Sequence, residues 1–187
     1  MQRQPHNLTF TGLKVISMQR PAPGTYNPHF QGYFDLVPEG DLLDLLQRNE
    51  GEAVELFLSI PEEKASYAYA SGKWTIKEML NHLIDAERIF AYRSLVAGRM
   101  DHRTDLMSFD ENEYAAHVDV SGRSLQDLIE EFRIVRRASL FLFSNLTEQQ
   151  ASFMAKNGSY SFTANAGICF LIGHVIHHMN VLKERYL

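Results

Sequence analysis

The sequence predicts an all-α fold: a four-helix bundle preceded by an irregular N-terminal extension. Three observations predict it. Four stretches place apolar residues at helical spacing. Two of them open on sequences that satisfy the free backbone donors of a helix start, Thr75-Ile-Lys-Glu78 and Ser124-Leu-Gln-Asp127. The segments between them are short or of medium length, which suits neighbouring helices packed side by side.

Residues 1–40 have the weakest pattern. Pro21, Pro23 and Pro28 interrupt them, and Met18 is a candidate natural start that would make residues 1–17 an overlong or disordered leader. Leu8, Phe10, Leu13 and Val15 alternate, as in a short strand, but a loose extension is the simpler expectation. Tyr26, Phe30, Tyr33, Phe34 and Val37 are expected to lie against the outside of the bundle. The division is therefore 1–32 as extension and 33–187 as the helical domain.

The first long helix is expected over Asp41–Ser59, with Leu42, Leu45, Leu46, Val54, Phe57 and Leu58 on one stripe. Gly51 weakens it locally and Pro61 ends it. After a connector closed by Ser71-Gly72, the second helix starts at the Thr75 capping box and ends near Gly98. Its stripe is Ile76, Met79, Leu80, Leu83 and Phe90, and Trp74 packs back onto its first turn. Residues 99–123 read as a polar loop with a short helix near Asp110–Ala116. The third helix runs from Ser124 to about Asn145 on Leu125, Leu128, Ile129, Phe132, Val135, Leu140 and Phe143; Glu130, Glu131, Arg133, Arg136 and Arg137 read as its solvated face. Thr147–Gln150 is a helical turn, and Asn157-Gly158-Ser159 marks the turn of a small hairpin within Phe153–Phe162. The fourth helix begins at Thr163 or Ala164 and continues almost to Leu187 on Ile168, Leu171, Ile172, Val175, Met179 and Leu182.

Composition narrows the function. The chain has 187 residues, 45% hydrophobic and 22% charged, with a net charge of −5. That is enough for one domain with a proper core and leaves no basic footprint for nucleic acid or a membrane surface. No apolar run is long enough to span a bilayer, and no signal peptide is visible, so a cytoplasmic location is the expectation. Cys169 is the one cysteine, which excludes an internal disulfide.

The stretch Gly173–Leu187 carries the chemistry. His174 and His178 stand four residues apart on a helix, so both project from one face and can share one metal ion. Two imidazoles are too few for a stable site. His82 borders the apolar stripe of the second helix at a matching position, and bundles commonly build metal sites from facing helices. Spacing alone leaves the alternative open: a histidine beside an apolar stripe is often only a satisfied polar residue. His177 points further round, toward solvent; His6, His29, His102 and His117 fall in irregular or polar segments; Cys169 faces away and reads as a small core residue.

Several segments together resemble the DinB/YfiT-like superfamily, whose members are taken for metalloenzymes. They are Trp74-Thr-Ile-Lys-Glu78, Asn81-His82-Leu-Ile-Asp85-Ala-Glu87-Arg88, Phe109-Asp-Glu-Asn-Glu-Tyr114, and Gly173-His174…His178…Leu182-Lys-Glu-Arg-Tyr-Leu187. The resemblance covers residues 33–187. It implies a four-helix bundle, often a homodimer, with one divalent metal ion held by His82, His174 and His178. Three neutral imidazoles leave coordination positions open, as in a catalytic site. Zinc, nickel and iron suit such ligands similarly. An open position can activate water for hydrolysis of a small-molecule substrate, or bind a low-molecular-weight thiol for S-transfer, a chemistry known among members of the superfamily. A metal-stabilised bundle serving as a non-enzymatic binding or stress-response protein is the competing class. Asp85, one turn beyond His82, is the first candidate for a general acid or base, or for orienting a ligand imidazole. Asp110 and Glu113 are weaker candidates, and Trp74 and Tyr33 are candidate pocket walls.

Overall fold

The computed structural model describes residues 17–187. The alternating stretch over Asn7–Ile16 lies outside the described residues. Four long helices build the bundle: α2 (Leu42–Leu58), α3 (Ile76–Gly98), α5 (Leu125–Ser144) and α7 (Ala164–Arg185). Between them come α1 (Gln31–Phe34), α4 (Glu111–Ala116), α6 (Glu148–Ser152) and a two-stranded antiparallel hairpin, β1 (Ala155–Asn157) with β2 (Tyr160–Phe162). Among the described residues, no helix is long and apolar enough to cross a membrane.

The helix starts follow from local chemistry. The Thr75 hydroxyl accepts from the Glu78 amide while the Glu78 carboxylate accepts from the Thr75 amide, closing the expected capping box. Asp41, Ser124 and Thr163 cap α2, α5 and α7 through their side-chain oxygens. The hairpin turns at Gly158, whose φ of 56° is one that side-chain-bearing residues rarely adopt.

α3 packs on both α5 and α7, and α2 packs on the same two helices from the other side of the bundle. The apolar interior forms two clusters. One gathers Phe90 and Phe143 with α7 residues up to Ile172; the other gathers Leu80, Leu83, Phe132 and α7 residues from Val175 onward. α7 passes from one cluster to the other at His174. The polar break in the core is thus the place where the site stands.

Four differences from the sequence reading have physical causes. First, the described part of the extension is not loose. Met18 is 1% exposed, its amide donates to Asp41 Oδ2, and Tyr26, Phe34 and Val37 join the core. Secondly, Arg136 is not on a solvated face. It is fully buried, its Nε donates to both Glu87 oxygens at 2.8 and 2.9 Å, and its Nη1 donates to Leu46 O and Asn49 Oδ1. A helical wheel puts Arg136 one turn from Phe132 and Leu140, and only the buried Glu87 on α3 makes that position tenable for a charge. Thirdly, Leu58 is half exposed where the stripe of α2 runs out. Fourthly, the segment 99–123 is anchored: Leu106 and Val120 are buried, and the Leu106 amide donates to Lys156 O beside the hairpin.

Candidate metal centre

His82 reaches the site from α3, and His174 and His178 reach it from successive turns of α7. The i, i+4 spacing stacks the α7 pair on one face, and the close packing of α3 against α7 brings His82 opposite them. One nitrogen from each ring lies within 4.8 Å of the others. His174 Nε2 stands 3.0 Å from His82 Nε2 and 3.1 Å from His178 Nε2. A single imidazole nitrogen carries either a proton or a lone pair, so it serves one hydrogen bond well and not two. Two nitrogens bound to one zinc at about 2.0–2.1 Å stand about 2.9 Å apart at a right angle and about 3.3 Å at a tetrahedral angle. The two observed separations fall between these values. The donor set therefore fits a divalent cation better than it fits mutual hydrogen bonds.

Electrostatics agree. Burial pushes His82 down to about 4. Burial first, then the neighbouring His82 and His177, push His178 down to about 3. His174 is held well below the ordinary histidine range, again chiefly by burial. All three rings are neutral near pH 7, which is the form that binds a metal.

The rings are wedged by aromatics. Trp74 lies 4.7 Å from His82, Phe170 stacks on His174 at 4.9 Å, and Tyr33 meets His174 edge-on at 5.4 Å. Tyr33 comes so close because α7 carries Gly173 at the crossing: a Cβ there would meet the Tyr33 carbonyl oxygen at 2.1 Å. The Tyr186 hydroxyl donates to Trp74 O at 2.7 Å and fixes the far wall to the end of the chain.

All three histidines line one cavity of about 430 Å³, with Tyr33 and Trp74 among its walls. Both pocket-wall expectations are met. Two histidines are placed otherwise than read from the sequence: His177 is half-buried on the cavity wall beside Tyr33, and the exposed His29 also borders the cavity. Cys169 is buried, with its thiol pushed up to about 12 by burial, as suits a core residue.

Asp85 does not line this cavity. It borders a narrow adjoining cleft with His82 and Glu111, accepts from Asn81 Nδ2 at 2.9 Å and faces Arg88 at 3.6 Å. Burial raises its carboxyl in spite of Arg88. Asp110 caps α4, and Glu113 is exposed and lines neither space. Two charged residues on the main cavity were not found by sequence reasoning, Glu111 and Arg93. Glu111 sits within the DinB-like Phe109–Tyr114 stretch, where no partner spacing singles it out. Arg93 lies eleven residues after His82, on the same face of α3, and that spacing was the available signal.

The sequence profile of the DinB superfamily matches residues 45–182, well over half of the chain. The chain belongs to the DinB superfamily. The match spans α3 and α5 entire and most of α2 and α7, and it includes His82, His174 and His178. A protein of Oceanobacillus iheyensis named "Putative metal-dependent hydrolase" is 26% identical over 136 residues, covering 71% of this chain and 75% of its own. Among solved structures, YfiT from Bacillus subtilis, described as "a probable metal-dependent hydrolase with an unusual four-helix bundle topology", superposes with a TM-score of 0.63 over 89% of this chain and 90% of its own, at 15% identity. The DinB-like protein YjoA from the same organism superposes with a TM-score of 0.55 over 77% of this chain and 88% of its own, at 17% identity. At such identities the two structures speak for the fold, an all-α DinB-type bundle.

Proposed function

We propose that this DinB superfamily member is a hydrolase of small molecules that depends on one divalent metal ion held by His82, His174 and His178. The observation that carries the reading is the cavity: the three neutral, converging imidazoles stand on its wall and not inside a sealed core. A metal buried without access would favour the non-enzymatic class, and this arrangement speaks against it. Zinc, nickel or iron, when bound, supplies a Lewis acid and lowers the pKa of bound water.

The chain's own groups do the rest. Glu111, exposed on the cavity wall, is the better placed proton carrier, able to take a proton from water and return it to the leaving group. Asp85, in the cleft shared with His82 and Glu111, is the second candidate. The aromatic walls exclude bulk water around the rings and orient an apolar substrate.

The size of the cavity favours one further reading, S-transfer, because it has room for a low-molecular-weight thiol beside a second substrate. A panel of esters and amides, assayed with and without added thiol, tests both. Turnover is expected to vanish with chelator, return with metal, and fall about 10²- to 10⁴-fold in Glu111→Gln at unchanged metal content. A strict requirement for thiol would select S-transfer. Turnover indifferent to chelator and to His82→Ala would overturn the metal-dependent reading altogether.

A further inference from the structure

Two arginines are buried on the bundle's inner side, and the fold treats them differently. Arg136 has a carboxylate and two further acceptors, Leu46 O and Asn49 Oδ1. Arg93 is 5% exposed, lies on the cavity wall, and has no carboxylate within ion-pair distance among the described residues. Its Nη2 donates to Met107 O, and its guanidinium carbon lies 4.7 Å from the Phe90 ring centroid and 6.0 Å from that of Phe109. One carbonyl occupies one of five N–H donors, so four remain. Burial lowers the Arg93 pKa, with no neighbouring carboxylate countering it. Glu111 borders the same cavity but forms no ion pair with Arg93. A buried cation with spare donors and no anion is costly to maintain unless an anion comes to it.

Its position relative to the histidines is set by α3. His82, Ala86, Phe90 and Arg93 follow one face, and all four border the cavity. Eleven residues of helix raise Arg93 about 16 Å above His82 along the axis. Helical side chains lean toward the N-terminus, so the guanidinium reaches back toward the histidines and the gap is shorter than that rise. The wall between them is apolar: Phe90 and Phe170 stack with centroids 3.6 Å apart, and Phe30 meets both edge-on.

We propose that Arg93 is the anion anchor of the cavity: it holds the carboxylate of a substrate whose apolar body lies along Phe90 and Phe170, and whose far end reaches the three histidines. The last part rests on the metal-dependent reading above; the anchor itself does not. The substrate class is then an extended monocarboxylate with an aromatic or aliphatic body. A planar guanidinium fork matches a carboxylate in shape as well as charge, so lysine is not equivalent here.

Calorimetric titration of 4-phenylbutanoate and its neutral amide, 4-phenylbutanamide, tests the anchor. Metal-stripped protein is used first, because a carboxylate can also bind a metal. Wild type is expected to bind the acid about 10- to 100-fold more tightly than the amide. Arg93→Met should abolish that preference, Arg93→Lys should restore part of it, and His82→Ala should retain it. Metal content, measured on separately loaded samples, should be unchanged in Arg93→Met. The proposal is overturned if wild type fails to bind the acid at millimolar concentration or prefers the amide equally. It is also overturned if Arg93→Met keeps the preference, if phenyl phosphate binds more tightly than the acid, or if acid binding appears only with metal present. Loss of metal binding without loss of the acid preference would sink the functional reading and leave the anchor standing. Should Arg93→Met fail to fold, the acid-to-amide ratio of wild type still decides.

Discussion

Burial keeps the His82 and His178 rings neutral well below the ordinary histidine range, and this has a cost that depends on pH. Their folded values, about 4 and about 3, lie below the unfolded value of about 6.5. The unfolded chain therefore takes up protons first as the pH falls, and stability falls with it. The contribution is fully present above about pH 6.5 and is lost as the pH drops toward the folded values. Metal-free protein should lose about 2 kcal/mol from each of these two histidines between pH 7 and pH 5. Chemical denaturation of chelator-stripped protein measures this. His82→Ala and His178→Ala should each flatten the slope, and a slope equal to wild type would contradict the burial argument. At this scale the sequence was readable where spacing carried the message. His174 and His178 announce each other by their i, i+4 relation, whereas the burial of Arg136 is not legible in sequence because its counter-ion, Glu87, is 49 residues away on another helix. Glu111 and Arg93 acquire meaning only from the cavity they share.

The helices themselves were legible nearly to the residue. Their caps are local, and Thr75, Ser124 and Thr163 each bond a backbone amide within three residues. What lies between helices was less legible, because a connector's path depends on what it packs against. The α1 segment shows how one residue sets such a path. Gly173 has no Cβ, so the Tyr33 backbone can lie directly on α7 and place the Tyr33 ring beside His174 and His177. Gly173→Ala would drive a methyl group into a carbonyl oxygen, and backbone atoms on both sides have little freedom to yield. A loss of about 1–3 kcal/mol in thermal or urea unfolding is expected. Gly51→Ala on α2 is the matched control: its Cβ meets nothing within 4 Å, and a gain of about 0.5–1 kcal/mol is expected from helix propensity. Equal effects of the two substitutions would contradict the close approach at Tyr33.

For the molecule as a whole, the bundle was visible in four amphipathic stripes, and the DinB-like segments placed the three histidines before any coordinate did. The convergence of these rings was not derivable from the stripes. It depends on α3 lying against α7 with one register, which in turn depends on how the two core clusters fill the space on either side of His174. The same register opens the cavity onto the histidines and lines it with aromatic rings. The proposed function therefore depends on one relation across the bundle: a histidine from α3 and two from α7 acting as a single ligand set. Elemental analysis of untagged protein beside His82→Ala and His174→Ala tests it most directly. Close to one divalent ion per chain in wild type, and its loss in both variants with the helical content unchanged, is the predicted result. Full metal retention in either variant, or none in wild type after metal loading, would contradict it.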